Sequence, residues 1–152
     1  MPTFNTKNFA AVSYETDSVI DFPAGLPGFE QRRRFVALQF PDTAPLVFLQ
    51  SLEDPGLCFV TLPVRAVDPD YRLQVSAEDR ELVGLPAVRP LRIGEDVIAL
   101  AVTSIRESGP TANLLAPVVV NLKNRRAVQA IAANAGYSHQ HELLPQEACV
   151  CS

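Results

Sequence analysis

Residues 47–64 read V-F-L-Q-S-L-E-D-P-G-L-C-F-V-T-L-P-V, which is two apolar runs separated by a short polar turn. The turn at residues 54–57 suits the type II geometry, because Pro55 fixes φ at the second position and Gly56 tolerates a positive φ at the third. Side chains alternate between faces along a strand, and both faces of each run are mostly apolar. We therefore predict a largely buried strand pair at the centre of the domain.

The size and composition of the chain favour one folded domain. Its 152 residues can bury a substantial core, and with 47% hydrophobic and 20% charged residues it lacks the composition of a disordered protein. The formal net charge of −4 disfavours non-specific binding to nucleic acid or anionic membranes and leaves room for a cationic partner. No apolar run approaches the ~20 residues of a membrane helix, and residues 1–10 lack the apolar core of a signal peptide. We expect a cytoplasmic protein without membrane contact.

Thirteen prolines divide the chain into short elements and so favour strands and turns over a helical bundle. The predicted fold class is mainly β: a single domain whose antiparallel sheet curls into a β-barrel-like form, with one short helix. This domain spans residues 1–137, and a polar C-terminal tail occupies residues 138–152. Besides the central pair, strands are predicted at residues 10–14, 18–22, 35–40, 72–75, 97–106, 118–122 and 127–135. The last of these also has the composition of a helix, and we choose a strand because a short polar turn precedes it.

The short helix is predicted from S-A-E-D at residues 76–79, which resembles a capping box. Ser76 can accept a hydrogen bond from the backbone of Asp79, and Gly84 supplies a stop about two turns later. The acidic residues lie in the first turns, where the helix dipole favours them. A cap on a surface helix is therefore preferred to an acid–base pair for these carboxylates.

Two glycines and two prolines between residues 22 and 30 predict a tight loop whose Leu26 and Phe29 fold back on the core. A phosphate-binding loop is disfavoured, because no Lys-Ser/Thr ending and no helical pattern follow. The three arginines at residues 32–34 alternate across a strand and do not make one patch. A solvated edge is the preferred interpretation, and contact with nucleic acid or an acidic partner is the alternative.

Few residues suggest catalysis or metal binding. His139 and His141, with Cys149 and Cys151, are the one metal-like set, and their spacing is not that of a zinc finger. Both histidines lie near the C-terminus, so no Ser, His and Asp set suggests a catalytic triad. We expect no enzyme activity, no cofactor and no bound metal. A metal-dependent enzyme that uses the tail is kept as a minor alternative.

Four blocks of sequence resemble one known family. They are G-L-P-G-F-E at residues 25–30, L-Q-S-L-E-D-P at 49–55, N-L-L-A-P-V-V-V-N at 113–121 and Q-A-I at 129–131. In this order, the blocks look like the flagellar assembly factor FliW. The resemblance covers residues 22–137 approximately, and the tail that follows is not part of the pattern.

The resemblance implies a small β-barrel-like protein without catalytic activity. Proteins of this family bind newly made flagellin in the cytoplasm, and they bind the translational regulator CsrA and relieve its repression of flagellin synthesis. The two partners would exchange as a feedback switch. An acidic chain suits an antagonist of an RNA-binding protein, which must carry positive charge. We expect contact with protein rather than nucleic acid, and a monomer.

The amphipathic terminal segments of flagellin would require an apolar groove with polar edges. Polar residues amid core-like strands suggest where this groove lies. The predicted partner-binding residues are Leu49, Gln50, Leu52, Glu53, Asn113, Leu114 and Asn121. The structural alternative is that the two asparagines satisfy backbone groups of the barrel.

A direct RNA-binding barrel of the oligonucleotide-binding type is the alternative function. Such a barrel requires exposed aromatic side chains on a basic face. Arginines are present at residues 32–34 and 125–126, but the aromatic residues mostly lie within apolar strands.

Overall fold

The computed structural model describes residues 3–7, 9–107, 109–131 and 136–143. Most of the regular structure is β. The strands are β1 (Thr3–Thr6), β2 (Ala10–Ser13), β3 (Ile20–Asp21), β4 (Arg34–Leu38), β5 (Val47–Ser51), β6 (Cys58–Pro63), β7 (Val97–Arg106), β8 (Gly109–Ala112), β9 (Val118–Asn121), β10 (Ala127–Gln129) and β11 (His141–Glu142). The helices are α1 (Val64–Val67) and α2 (Ala77–Val83), and single 3-10 turns occupy Thr16–Ser18 and Pro41–Thr43.

The main sheet is antiparallel and follows the order β10-β9-β7-β6-β5-β4-β3. β8 pairs with the last part of β7, β11 pairs with β8, and β1 and β2 form a separate hairpin. This confirms the predicted mainly β, antiparallel class and places the β5–β6 pair at the centre. The sheet curls until one isolated bridge joins Asp21 to Arg126, but no ladder closes it, so the description as a barrel is loose.

The β5–β6 pair runs in register from Val47 opposite Thr61 to Gln50 opposite Cys58. The predicted turn between them exists, since the Leu57 amide donates to the Asp54 carbonyl at 3.0 Å. Its type II assignment is wrong, because the φ of Gly56 is not in the positive range. The Asp54 carboxylate instead accepts a hydrogen bond from the Gly56 amide at 3.0 Å, which is the arrangement of an Asx turn.

The main core fills the inside of the curled sheet. Its buried side chains come from β3, β4, β5, β7, β9, β10 and the loop after β3: Ile20, Phe22, Leu26, Phe35, Val47, Leu49, Leu100, Val118, Val120 and Ala127. The outer face of β5 is covered as well, because Phe48 packs against the rings of Phe9 and Phe40 at 5.2 and 5.8 Å. This second layer explains why both faces of the residue 47–51 run are apolar.

The predicted helix is confirmed as α2. Ser76 Oγ accepts a hydrogen bond from the Asp79 amide at 3.1 Å, and Gly84 ends the helix with a φ of 77°. Val83 packs against Val97 and Val119 and so joins the helix to the sheet.

Two local predictions are wrong, and one short helix is not predicted. Residues 72–75 form no strand: the amide of Arg72 donates to the Tyr137 hydroxyl at 2.8 Å instead of to a neighbouring strand. The chain forms the single-turn helix α1 directly after Pro63, which we do not predict. Within the loop at residues 25–30, Leu26 is buried as expected, whereas Phe29 stays 41% exposed and packs only edge-on against Phe59.

Residues 137–143 pack against the sheet. Tyr137 stacks on Tyr71 with ring centroids 4.3 Å apart, and the Ser138 carbonyl accepts from the Leu114 amide at 3.0 Å. β11 then pairs with β8. The division at residue 137 stays a prediction, and the cysteines at 149 and 151 lie outside the described residues.

Candidate functional site

The main sheet divides on one side of β6. Thr61–Pro63 pair with Leu100–Val102 of β7, but from Thr103 onward β7 leaves β6 and pairs with β8. The first half of β6 is therefore paired along one edge only, with β5. A hydrogen bond from the Thr103 hydroxyl to the Val60 carbonyl, at 2.8 Å, marks the point of divergence.

A cavity of about 270 Å³ opens at this division, and we call it the wedge cavity. Its walls are apolar at the base and polar at the rim. They comprise Leu26, Pro27, Leu49, Phe59, Val102, Ser104, Asn113, Val118, Gln129 and His139. The volume lies below the roughly 300–1,000 Å³ of typical small-molecule pockets. It suits one or two side chains of a bound polypeptide better than a whole ligand.

The loop at residues 113–117 forms one wall of the wedge cavity, and two side-chain amides hold it. The Asn113 Oδ1 atom accepts hydrogen bonds from the amides of Leu115 and Ala116 at 3.1 and 3.0 Å. Gln129 donates from Nε2 to the Ala116 carbonyl at 3.0 Å. The structural alternative for Asn113 is thus confirmed, and the same residue also borders the cavity.

Of the predicted partner-binding residues, Leu49 and Asn113 meet at the wedge cavity. Gln50 points to the opposite face of β5 and is fully buried. Its Nε2 atom donates to the carbonyls of Ser51 and Pro55, so this side chain supports the turn before β6. Leu52 is also buried and lies outside the cavity lining.

Glu53 is exposed but already has partners within the chain. Its Oε1 atom accepts hydrogen bonds from the amides of Arg33 and Arg34 at 2.6 and 3.0 Å. The bond from Arg34, followed by that from Arg33, lowers the pKa of this carboxyl below its ordinary value. Glu53 thereby fixes the start of β4.

Leu114 and Asn121 are buried in separate parts of the fold. Leu114 packs with Val64 and Tyr71, and its carbonyl accepts a hydrogen bond from the Tyr71 hydroxyl at 2.7 Å. Asn121 donates from Nδ2 to the carbonyl of Val83 at 2.9 Å and so caps the end of α2. The structural alternative is confirmed for this asparagine too.

Sequence analysis does not identify most of the wedge cavity. Phe59 and Val102 have the pattern of ordinary core residues, and Gln129 and His139 lie in segments with weak patterns. Ser104 carries the one available signal, since a serine near the end of an otherwise apolar strand marks the place where the strand leaves the core.

Two buried or half-buried side chains in the described part of the chain carry groups that could ionise at high pH. Burial raises the pKa of the Cys58 thiol, and it raises the pKa of Tyr71 to about 12, so both groups stay protonated at neutral pH. No three His, Cys, Asp or Glu side chains within the described residues are placed to hold a metal ion. None of the described helices has the length and apolar character needed to cross a membrane.

Comparison with known proteins identifies the family. The model of the FliW protein family matches residues 3–143. The chain belongs to the FliW family. Flagellar assembly factor FliW of Caldanaerobacter subterraneus subsp. tengcongensis is 35% identical over 143 residues, which is 93% of each chain. FliW of Pseudothermotoga lettingae is 37% identical over 140 residues, covering 86% of this chain and 81% of that protein.

A solved structure extends the comparison to the fold. The crystal structure of a flagellar assembly factor FliW superposes with a TM-score of 0.81 and 29% sequence identity, covering 96% of this chain and 99% of that one. The FliW family match reaches Leu143 and therefore includes β11 and its pairing with β8. The predicted resemblance to FliW is confirmed, and the chain is a flagellar assembly factor by family.

Proposed function

We propose that this FliW protein binds newly made flagellin in the cytoplasm and antagonises the translational regulator CsrA by direct protein contact. Exchange of the two partners on a monomeric chain couples the flagellin level to flagellin translation. Membership of a flagellar assembly family supports flagellin as the partner. The proposal requires a surface that holds polypeptide segments.

The wedge cavity carries this proposal. An amphipathic flagellin segment places an apolar side chain between Phe59 and Val102, above the buried Leu49. The polar part of that segment meets the rim at Ser104 and Asn113. This is the arrangement of a segment in a groove, in which apolar anchors supply affinity and rim hydrogen bonds supply orientation. Among the predicted partner-binding residues, we propose direct contact for Asn113, while Leu49 forms the buried base of the cavity.

CsrA antagonism rests on charge. A protein that binds RNA presents a cationic surface, and the net charge of −4 on this chain is complementary to it. Direct RNA binding is the alternative function, and it requires exposed aromatic side chains on a basic face. Phe29 and Phe40, the exposed phenylalanines within the described residues, pack against other rings and do not provide stacking platforms.

Ser104→Arg tests the wedge cavity, because a long charged side chain at the exposed rim blocks entry without disturbing the core. Ile105→Arg is the matched control: the next residue on β7 faces the opposite side and is 90% exposed. We expect Ser104→Arg to weaken flagellin binding at least ~10-fold, which corresponds to about 1.4 kcal/mol, and Ile105→Arg to leave it unchanged. Calorimetric titration measures the affinity, and circular dichroism checks the fold. Equal affinity of both variants and the parent would contradict the proposal.

CsrA antagonism has its own test. Purified chain is added to CsrA bound to labelled flagellin leader RNA, and we expect release of the RNA, followed by its recapture when flagellin is added. The chain alone should not shift the RNA in a gel. A shift by the isolated chain favours the RNA-binding alternative, and failure to release the RNA removes the antagonist role while leaving flagellin binding intact.

A further inference from the structure

The two-residue strand β3 lies between two runs of arginine. The amide of Asp21 donates to the Arg125 carbonyl at 2.9 Å, and the next amide, that of Phe22, donates to the Arg33 carbonyl at 2.8 Å. Consecutive amides of an extended chain point in opposite directions, so the two arginine runs flank β3 on opposite sides. Residues far apart in sequence thus meet where the curled sheet comes closest to closing.

Side chains from both runs share the outer face of this junction. Asp21 is the register partner of Arg34 on one side and of Arg126 on the other, and partners across a bridge point to the same face. The neighbouring Phe35 and Ala127 point inward to the core. The outer face therefore presents a row of arginine, aspartate and arginine, all three exposed.

We call the two runs at this junction, Arg33 with Arg34 and Arg125 with Arg126, the arginine seam, and Arg34 and Arg126 are its members on the outer face. Among the described residues, no carboxylate lies within the 4.0 Å ion-pair distance of any of their guanidinium groups. Two carboxylates are near: that of Asp21 lies between the two runs, and that of Glu53 accepts hydrogen bonds from backbone amides. The seam is a local excess of positive charge on a chain whose net charge is negative.

The backbone of the seam is strained to reach this arrangement. Arg125 has a φ of 62°, a left-handed conformation that non-glycine residues rarely adopt. The turn is held by hydrogen bonds from the Arg125 amide to the Asn121 carbonyl at 2.8 Å and from the Arg126 amide to Asn124 Oδ1 at 2.9 Å. Glycine or asparagine would adopt this conformation with less strain.

We infer that the arginine seam is a docking surface for an acidic, extended segment of a protein partner. The two arginine runs lie roughly 10 Å apart across β3. Along an extended partner segment, side chains on one face recur roughly every 7 Å, so flexible arginines can pair with successive carboxylates of that segment. Guanidinium groups also match carboxylates in bidentate geometry.

A protein segment fits the seam better than RNA does. The aromatic residues of the seam strands, Phe22 and Phe35, are fully buried, so none of their rings can stack on a base. Arg34 and Arg126 of the seam lie on the outer face of the sheet, opposite the core side that opens into the wedge cavity, so this surface is separate from the proposed flagellin site.

Chemical-shift mapping of the ¹⁵N-labelled full chain tests this surface. The probe is a short peptide with Glu at every second position and Ser between, and its control has Gln in place of Glu. We expect amide shifts at residues 20–22, 33–35 and 124–127 with the Glu peptide alone. Arg34→Gln combined with Arg126→Gln should weaken binding about fivefold, as expected for the loss of two exposed charge pairs.

The matched control is Arg65→Gln with Arg72→Gln, which removes the same charge from exposed arginines elsewhere. It should keep the affinity of the parent within about twofold, because surface charges beyond a Debye length are screened. Equal weakening by both double variants, equal shifts with the Gln peptide, or tighter binding of a single-stranded oligonucleotide at the seam would each overturn the inference. Flagellin affinity of the Arg34→Gln, Arg126→Gln variant is measured alongside and should not change.

Discussion

Replacement of Glu53 by glutamine offers a sharp test of how the L-Q-S-L-E-D-P block works. The carboxylate of Glu53 accepts hydrogen bonds from two consecutive amides, those of Arg33 and Arg34, at the point where β4 begins. Glutamine has nearly the same shape and keeps one acceptor oxygen, so the variant removes the charge and little else. The experiment therefore isolates the charge assistance of these two bonds.

The expected magnitude follows from the geometry and the exposure. A hydrogen bond to a charged group contributes roughly 1.5–3 kcal/mol, against about 0.5–1.5 kcal/mol for a neutral pair, so the charge adds about 1 kcal/mol per bond. The side chain is exposed, and solvent screening reduces this gain by about half. Glu53→Gln should therefore lower the free energy of unfolding by about 1 kcal/mol at neutral pH.

The lowered pKa of Glu53 determines how the stability difference between parent and variant changes with pH. Hydrogen bonds from the amides of Arg34 and Arg33 hold the pKa of the Glu53 carboxyl below its ordinary value of 4.5 in the folded chain. A depressed pKa means that the stabilisation is complete above the unfolded-state pKa and is lost as the pH falls through the lower folded-state pKa. The parent and the variant should then converge in stability in acid, below pH 4.5.

Urea unfolding of both proteins at neutral pH and through a descending pH series measures these free energies. Equal stability of parent and variant at neutral pH would refute the assigned role of the two bonds. A difference that persists unchanged in acid would refute the electrostatic explanation. Flagellin affinity should stay within about twofold, because this carboxylate serves the fold and lies outside the wedge cavity.

Two further predictions concern the fold. Tyr71→Phe removes the donor to the buried Leu114 carbonyl and should destabilise the chain by about 1–2 kcal/mol in urea unfolding; an unchanged midpoint would contradict that hydrogen bond. Gly25→Ala adds a Cβ atom 2.5 Å from Glu30 Cα at a φ of 71°, whereas Gly28→Ala, at a φ of 86°, meets no atom within 4 Å. Both alanines carry a backbone strain of about 1 kcal/mol. Gly25→Ala should therefore lower the free energy of unfolding clearly more than Gly28→Ala does, and equal losses would show that the steric contact is relieved.

Much of the fold can be predicted from local signals in the sequence. Pro55 and Gly56 mark the central turn, and the apolar runs beside it identify β5 and β6. Ser76 and Gly84 mark both ends of α2, because a cap and a left-handed stop are properties of single residues. These predictions need no knowledge of distant parts of the chain.

The predictions fail where the local structure depends on contacts with residues far away in the sequence. Residues 72–75 alternate like a strand, but no neighbouring strand is available, and Tyr137 takes the amide of Arg72 instead. The two arginine runs are each consistent with a solvated edge when taken alone. Their meeting across β3 depends on the curl of the whole sheet, which no local pattern encodes.

The candidate site also combines features that the sequence predicts with features that depend on distant contacts. The sequence singles out polar residues in apolar surroundings, such as Gln50, Asn113 and Asn121, and these residues are indeed unusual. Their side chains bind backbone groups of the same chain, as most buried amides do, although the Oε1 atom of Gln50 has no partner among the described residues. Whether an unusual polar residue faces a partner or a backbone carbonyl depends on the direction of its side chain, and the divergence of β7 from β6 bears on that direction only at the wedge cavity.

The position of β7 beside β6 also affects how the chain folds while it is being synthesised. β7 pairs with β6 from earlier in the chain and with β8 and β9 from later, so it joins strands from both halves of the sequence. Until Val97 and the residues after it leave the ribosome, one edge of β6 has no partner strand. Such an unpaired edge can pair with other copies of the chain. We therefore expect a premature stop between β6 and β7 to leave a fragment that is prone to aggregate.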